Sequence, residues 1–215
     1  MARFIPALRF DALTRFYDPV VALTTRERTF KRRLVEQVAL QRGHRVADVG
    51  CGTGTLTIML KRSCESADVI GIDGDPKTLA MARLKALSAK ARIEFSEGLA
   101  WSLGLADCSV ERVTSSLLLH HLDSIDKART LAEMFRVLVP GGEVHIADWG
   151  QPHGPVMRVA FLGVQLLDGF ETTTANVRGL LPMYITRAGF ERVEETTRFR
   201  TPLGSISLYR AVRPR

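Results

Sequence analysis

The sequence predicts an α/β fold built on a doubly wound sheet with helices on both faces. Strand-length apolar runs alternate with helix-length stretches, glycines crowd the end of the first such run, and successive runs close on carboxylates. That first run, Val46-Ala47-Asp48-Val49, passes into Gly50-Cys51-Gly52-Thr53-Gly54, after which Thr55-Leu56-Thr57-Ile58-Met59-Leu60 supplies residues suited to a helix. Such a strand, turn and helix make the opening unit of a doubly wound sheet. Glycine is needed because the chain turns sharply and because a Cβ would shield backbone from a ligand.

Spacing narrows the ligand. A dinucleotide fingerprint starting at Gly50 needs its third glycine at position 55, but Thr55 stands there and the glycine is Gly54. Asp48 points the same way, since a carboxylate aimed into the turn repels a pyrophosphate and attracts an ammonium. The indicated ligand is a nucleoside joined to an amino acid. The second run, Val69-Ile70-Gly71-Ile72-Asp73, ends in a carboxylate about 20 residues beyond the turn, where a ribose hydroxyl pair is accepted, and Gly74 follows it. Asp75 then caps a helix that starts at Pro76, with Leu79, Ala82, Leu84 and Leu87 as its apolar face.

An acidic residue followed by G-x-G-x-G resembles the first motif of class I S-adenosylmethionine-dependent methyltransferases. The later segments extend the likeness. Arg92 to Ala100 resembles the third strand and adenine loop, although Leu99 stands where the family has a carboxylate. Val110 to Leu122 resembles the fourth strand and its loop, with Val110-Glu111 replacing the usual Phe-Asp. From Leu131 to Asp148 a helix, a Pro140-Gly141-Gly142 reversal and a fifth strand follow one another. The likeness covers roughly residues 40 to 150 and is nearest to the broad group that includes the ubiquinone and menaquinone C-methyltransferases.

The resemblance implies a mostly parallel seven-stranded sheet with an antiparallel last strand. It implies S-adenosyl-L-methionine as cofactor, S-adenosyl-L-homocysteine as product, and a small-molecule methyl acceptor that is quinone-like, phenolic or an amine. Asp48 with Gly50, Cys51, Gly52, Thr53 and Gly54 would hold the amino-acid end, Asp73 and Gly74 the ribose, and Leu99 and Ala100 the adenine. Ser116 and Leu117 would face the methionine part, with Tyr17 reaching in from a leading lid. Arg26 or Lys31 would pair with the cofactor carboxylate or an anionic substrate, or else be solvated. Trp101 either covers the adenine ring or packs in the core. No metal is implied.

The candidate catalytic residues are His120, His121 and Asp148. An imidazole near the methyl group could take a proton from carbon, phenol or ammonium; the alternative is a His pair that supports the loop. Asp148, at the carboxyl end of its strand, either touches substrate or caps the loop that follows.

The expected organisation is one domain over residues 1–215. Its parts are a lid segment (1–40) with Phe30, Leu34, Val38 and Leu40 packing on the sheet, a cofactor core (41–148), a variable substrate-side segment (149–188) and closing strands (189–215). In the third part His153, Met157, Phe161, Leu162, Leu166, Leu167 and Phe170 either line an apolar pocket or form a buried helix face. Ile206, Leu208 and Ala211 mark the final strand.

Composition agrees with an enzyme-sized core: 215 residues, 46% hydrophobic, with no apolar run approaching the ~18 residues of a membrane span. Residues 1–10 lack the pattern of a secretory signal. Cys51, Cys64 and Cys108 are an odd number without a C-x-x-C pair, which argues against a disulfide framework or zinc site and for a reducing cytoplasm. The +7 charge is dispersed, so it argues against a nucleic-acid face while suiting contact with an anionic membrane surface. Two rivals stand beside the methyltransferase reading: a nicotinamide-dependent oxidoreductase, and a binding module that keeps the adenosyl pocket without turnover.

Overall fold

The computed structural model describes residues 26–215, and at positions 155, 156, 160, 167, 168 and 171 the backbone alone. Tyr17 and most of the lid segment therefore lie outside the described residues. The elements run α1 (Glu27–Val38), β1 (Arg45–Val49), α2 (Thr55–Ser63), β2 (Asp68–Asp73), α3 (Pro76–Ser88), β3 (Glu94–Glu97) and β4 (Val110–Ser116). After a 3-10 turn (Leu119–His121) come α4 (Ser124–Val137), β5 (Leu138–Trp149), α5 (Pro155–Asp168), α6 (Phe170–Val177), α7 (Leu181–Arg187), β6 (Glu191–Thr201) and β7 (Gly204–Val212).

Seven strands form one sheet in the order β3-β2-β1-β4-β5-β7-β6. β1 pairs in parallel with β2 and β4, whereas β7 runs antiparallel to both β5 and β6. The last strand in sequence is thus the antiparallel one, as expected. The order reverses between β1 and β4, and in such sheets ligands bind at the carboxyl ends of the strands beside that switch.

Alternation along the strands sends side chains into two cores, one on each face. On one face Ala47, Val49, Ile70, Ile72, Val113 and Ile146 pack with α4 and α7 residues such as Leu131, Met134 and Ile185. On the other, Val46, Val69, Ala147, Trp149 and Leu208 meet Phe30, Leu34 and Val38 of α1 and Leu56 and Leu60 of α2. Phe30, Leu34 and Val38 recur every four residues and are fully buried, so α1 lies on the sheet through one stripe, and Leu40 packs beside it.

Local chemistry sets the helix starts. Asp75 accepts from the Lys77 N–H at 2.8 Å with Pro76 at the first helical position, and Asp123 accepts from the Ile125 and Asp126 N–H groups.

Three expectations need correction. On α3, Leu84 and Leu87 are exposed and Ala86 joins Leu79 and Ala82 instead, because the helix covers the narrow β2–β3 margin with a single stripe. Pro140-Gly141-Gly142 is not a reversal between helix and strand. β5 already begins at Leu138 opposite Val110 and resumes opposite Arg112 at Glu143, so the three residues loop out of the strand. Gly141 N–H and Gly142 C=O there bond to the Arg213 backbone. Finally, Phe161 is buried, but Leu162, Leu166 and Phe170 are exposed, and His153 bonds Ser205 rather than lining an apolar pocket. Leu167's side chain is outside the described set.

Candidate functional site

The glycine turn crosses the carboxyl ends of β1 and β2. Gly50 and Cys51 N–H both donate to the Ile72 carbonyl, at 2.8 and 3.0 Å, which ties the turn to the neighbouring strand. Gly50 has φ 68°, and a Cβ there would come within 2.9 Å of the Leu118 side chain. Gly52 has φ 55°, yet a Cβ there would meet nothing within 4 Å. The first glycine is a packing requirement; the second leaves bare backbone facing open space, the cradle a ligand needs.

Asp73 borders that cradle. Its Oδ2 accepts from Gly52 N–H at 2.8 Å and its Oδ1 from Asp75 N–H at 3.0 Å. A carboxylate offers about four acceptor positions, so both oxygens retain capacity. Burial pushes its pKa up, partly offset by those N–H donors. Gly98 N–H donates to the Asp73 carbonyl, placing the third loop beside the second strand's end. In that loop Leu99 is partly exposed and bridges back to Ser102, while Trp101 lies under the Arg129 guanidinium, 5.7 Å from its ring centroid.

Asp48 is 1% exposed. Its Oδ2 accepts from Thr57 Oγ1 at 2.7 Å and its Oδ1 from Thr114 Oγ1 at 2.9 Å, so the carboxylate sits beneath the turn instead of reaching out of it. The β1–β4 register puts Thr114 opposite Asp48, a partner no sequence signal identified. Burial raises its pKa to about 6 against those two hydroxyls and the nearby Lys31 charge. Lys31 is itself buried, in an ion pair with Glu27 at 2.5 Å within α1. Cys51 is buried, and burial pushes its thiol well above the usual range.

A second buried carboxylate closes β5. Asp148, also 1% exposed, accepts from Leu119 N–H (2.7 Å), Trp149 N–H (2.7 Å), Asn176 Nδ2 (3.1 Å) and His120 Nδ1 (2.8 Å). Burial pushes its pKa up, but the His120 charge and hydrogen bond, the Trp149 N–H and Lys127 together bring it below the ordinary carboxylate value. An ionised Asp148 makes Nδ1 the proton-bearing nitrogen of His120. His120 is buried and stacks on half-buried His121 with ring centroids 3.9 Å apart; burial and the His120 charge lower the His121 pKa to about 3. Lys127, fully buried, donates to the Leu122 and Thr172 carbonyls, and burial lowers its pKa to about 8.

Ser116 ends β4 between these two groups, and Leu117 follows it. Leu117 N–H donates to the Ala147 carbonyl, and Leu118, next in the chain, is the side chain against Gly50. Asp48, Asp73, the glycine turn, Ser116, His120 and Asp148 thus share one sheet edge at the switch point. Asn176 and Lys127 belong to the same network and lay beyond sequence reasoning, because nothing in their local pattern marks them.

Comparison with known proteins identifies the family. A family described as a methyltransferase domain matches residues 46–142. The demethylmenaquinone methyltransferase of Thermus thermophilus is 33% identical over 159 residues, covering 72% of this chain and 69% of that protein. The chloroplastic 2-phytyl-1,4-beta-naphthoquinone methyltransferase of Arabidopsis thaliana is 31% identical over 182 residues, covering 81% and 68%. Among solved structures, a SAM-dependent methyltransferase of Methanosarcina mazei superposes with a TM-score of 0.66 at 22% identity, over 84% of this chain and 97% of that one. With the strand order, the glycine turn and these relatives agreeing, the chain belongs to the class I S-adenosylmethionine-dependent methyltransferases.

Proposed function

We infer that this protein transfers a methyl group from S-adenosyl-L-methionine to a small-molecule acceptor of quinone-like, phenolic or amine type. One observation carries the inference: the unshielded Gly52 backbone, with Asp73 bonded to its N–H, leaves room and acceptors where a ribose and amino-acid chain need them. The quinone direction follows from the substrates in the relatives' names.

In this reading Gly50 to Gly54 hold the amino-acid end, with Asp48 acting on its ammonium from beneath the turn, Asp73 and Gly74 the ribose, Leu99 and Ala100 the adenine, and Ser116 and Leu117 the methionine chain. Tyr17, which lies outside the described residues, would reach the cofactor from the leading segment. The bound cofactor supplies an activated methyl group, so the protein's work is positioning and desolvation. His120 would take the acceptor's proton while the acceptor's nucleophilic atom gains the methyl group and the sulfur–methyl bond breaks to leave S-adenosylhomocysteine, and Asp148 would orient the ring and stabilise the imidazolium. An amine that arrives neutral, or an already ionised carbon acid, needs no such base.

Calorimetric titration with S-adenosylmethionine, S-adenosylhomocysteine and NADH tests the site, with Gly52→Ala and Asp73→Ala as variants. Both adenosyl ligands should bind and NADH should not. Each variant should weaken adenosyl binding by about tenfold or more, worth roughly 1.4 kcal/mol. Gly52→Ala should do so at a stability cost of about 1 kcal/mol, set by its positive φ alone, since its Cβ enters open space. Unchanged adenosyl affinity in both variants would remove the assignment.

A further inference from the structure

We propose that the cleft beyond the β5 end is an oxyanion subsite, and that the methyl acceptor carries a carboxylate or phosphate received by Arg158 and Arg178. The proposal rests on the methyltransferase reading, which supplies the acceptor.

The cleft, of about 460 Å³, is lined by Gln151, Pro152, Gly154, Arg158, Val177 and Arg178. It is built from the segments that continue from Asp148 and Asn176. Gln151 follows Asp148 by three positions on the same chain exit, and Val177 follows Asn176, whose amide bonds both Asp148 and the Trp149 carbonyl.

Among the described residues, the guanidinium of Arg158 is held by an uncharged partner. Its Nη1 donates to Gln165 Oε1 at 2.6 Å; Gln165 Nε2 donates in turn to Thr173 Oγ1 at 3.1 Å, and Thr173 Oγ1 donates to the Gly169 carbonyl at 2.7 Å. Gln165 is 2% exposed and Thr173 fully buried, so a built, uncharged relay aims the cation. Elsewhere the fold anchors arginines on carboxylates, as with Arg136 on Glu133 and Arg210 on Glu143. Among the described residues, no carboxylate pairs with Arg158 or Arg178. Two guanidiniums on one cleft match the planar fork of a carboxylate or the oxygens of a phosphate.

The test titrates the full chain with inorganic pyrophosphate at fixed ionic strength and, separately, mixes it with phosphatidylglycerol or phosphatidylcholine vesicles. Arg158→Gln and Arg178→Gln should each weaken pyrophosphate binding about tenfold, and together abolish it, with S-adenosylhomocysteine affinity unchanged. Gln165→Glu, nearly isosteric, should weaken it similarly by giving Arg158 a carboxylate. Pyrophosphate binding that these variants lose assigns a soluble oxyanion. Phosphatidylglycerol binding that they lose, without pyrophosphate binding, assigns one presented by a lipid. Equal affinity in wild type and the double variant, or no binding to either probe, overturns the subsite. Failure of the wild type to bind S-adenosylhomocysteine would instead count against the methyltransferase reading, leaving the cleft to be judged on pyrophosphate alone.

Discussion

Asp48 and Asp148 end parallel strands on either side of β4, are equally buried, and are driven in opposite directions. Asp48 has two hydroxyl donors and a pKa raised to about 6, so its charge is poorly compensated. Asp148 has four donors, one of them an imidazole, and a lowered pKa. Burial alone does not decide a carboxylate's charge; the number and charge of its donors do. The β1 region keeps an electrostatic vacancy suited to a cation, whereas the β5 region is already complete and organises the loop that carries His120.

Removing the charge should therefore act oppositely at the two sites. Asp148→Asn leaves four donors facing a weaker acceptor and should cost about 3–5 kcal/mol in thermal or denaturant unfolding. It should also lower kcat far more than cofactor affinity. A cost below about 1 kcal/mol would mean that its donors find other partners. Wild-type stability from Asp148 is present above the ordinary carboxylate pKa and is lost as pH falls through its lowered one.

Asp48→Asn should be the reverse case, stabilising the protein by about 3 kcal/mol at pH 7.5. The sign follows from a folded-state pKa above the unfolded one: the favourable contribution is complete below about pH 4 and disappears as pH rises through about 6. Unfolding midpoints across that window should fall in the wild type and flatten in the variant. If Asp48 serves the cationic cofactor, ligand binding near pH 6 should release a proton, seen as a buffer-dependent calorimetric enthalpy. Buffer-independent binding would separate Asp48 from the ligand.

The seam between the regions is the Gly50–Leu118 contact. Gly50→Ala should cost about 2 kcal/mol, part from its positive φ and part from crowding Leu118. Adding Leu118→Ala should recover the crowding part alone, so the double variant should unfold later than the sum of the singles. Strict additivity would show that the cost is all backbone.

Much of the first region was legible because its determinants are neighbours in sequence. Strand alternation, three glycines in five positions and an acidic strand end are local consequences of backbone geometry, and so is the Asp75-Pro76 helix start. The same local rules failed on α5 and α3, where periodicity fits a buried face and Leu84, Leu162 and Leu166 are nevertheless exposed. Apolar spacing states that a helix has a face, and only the neighbouring elements state how much of it they cover. Pro140-Gly141-Gly142 misled for a related reason: a reversal and a strand loop-out need the same backbone freedom, and the β4 register distinguishes them.

By itself the sequence determined the strand–turn–helix order, the switch-point fold and the adenosyl-type turn, since these follow from residue-scale sterics and short spacings. Tertiary structure decided which charges are compensated: Thr57 and Thr114 under Asp48, Asn176 and His120 on Asp148, Gln165 behind Arg158. Several of those partners lie tens of residues apart along the chain. Electrostatics in a buried site depends on distance and desolvation in space, which no local pattern encodes.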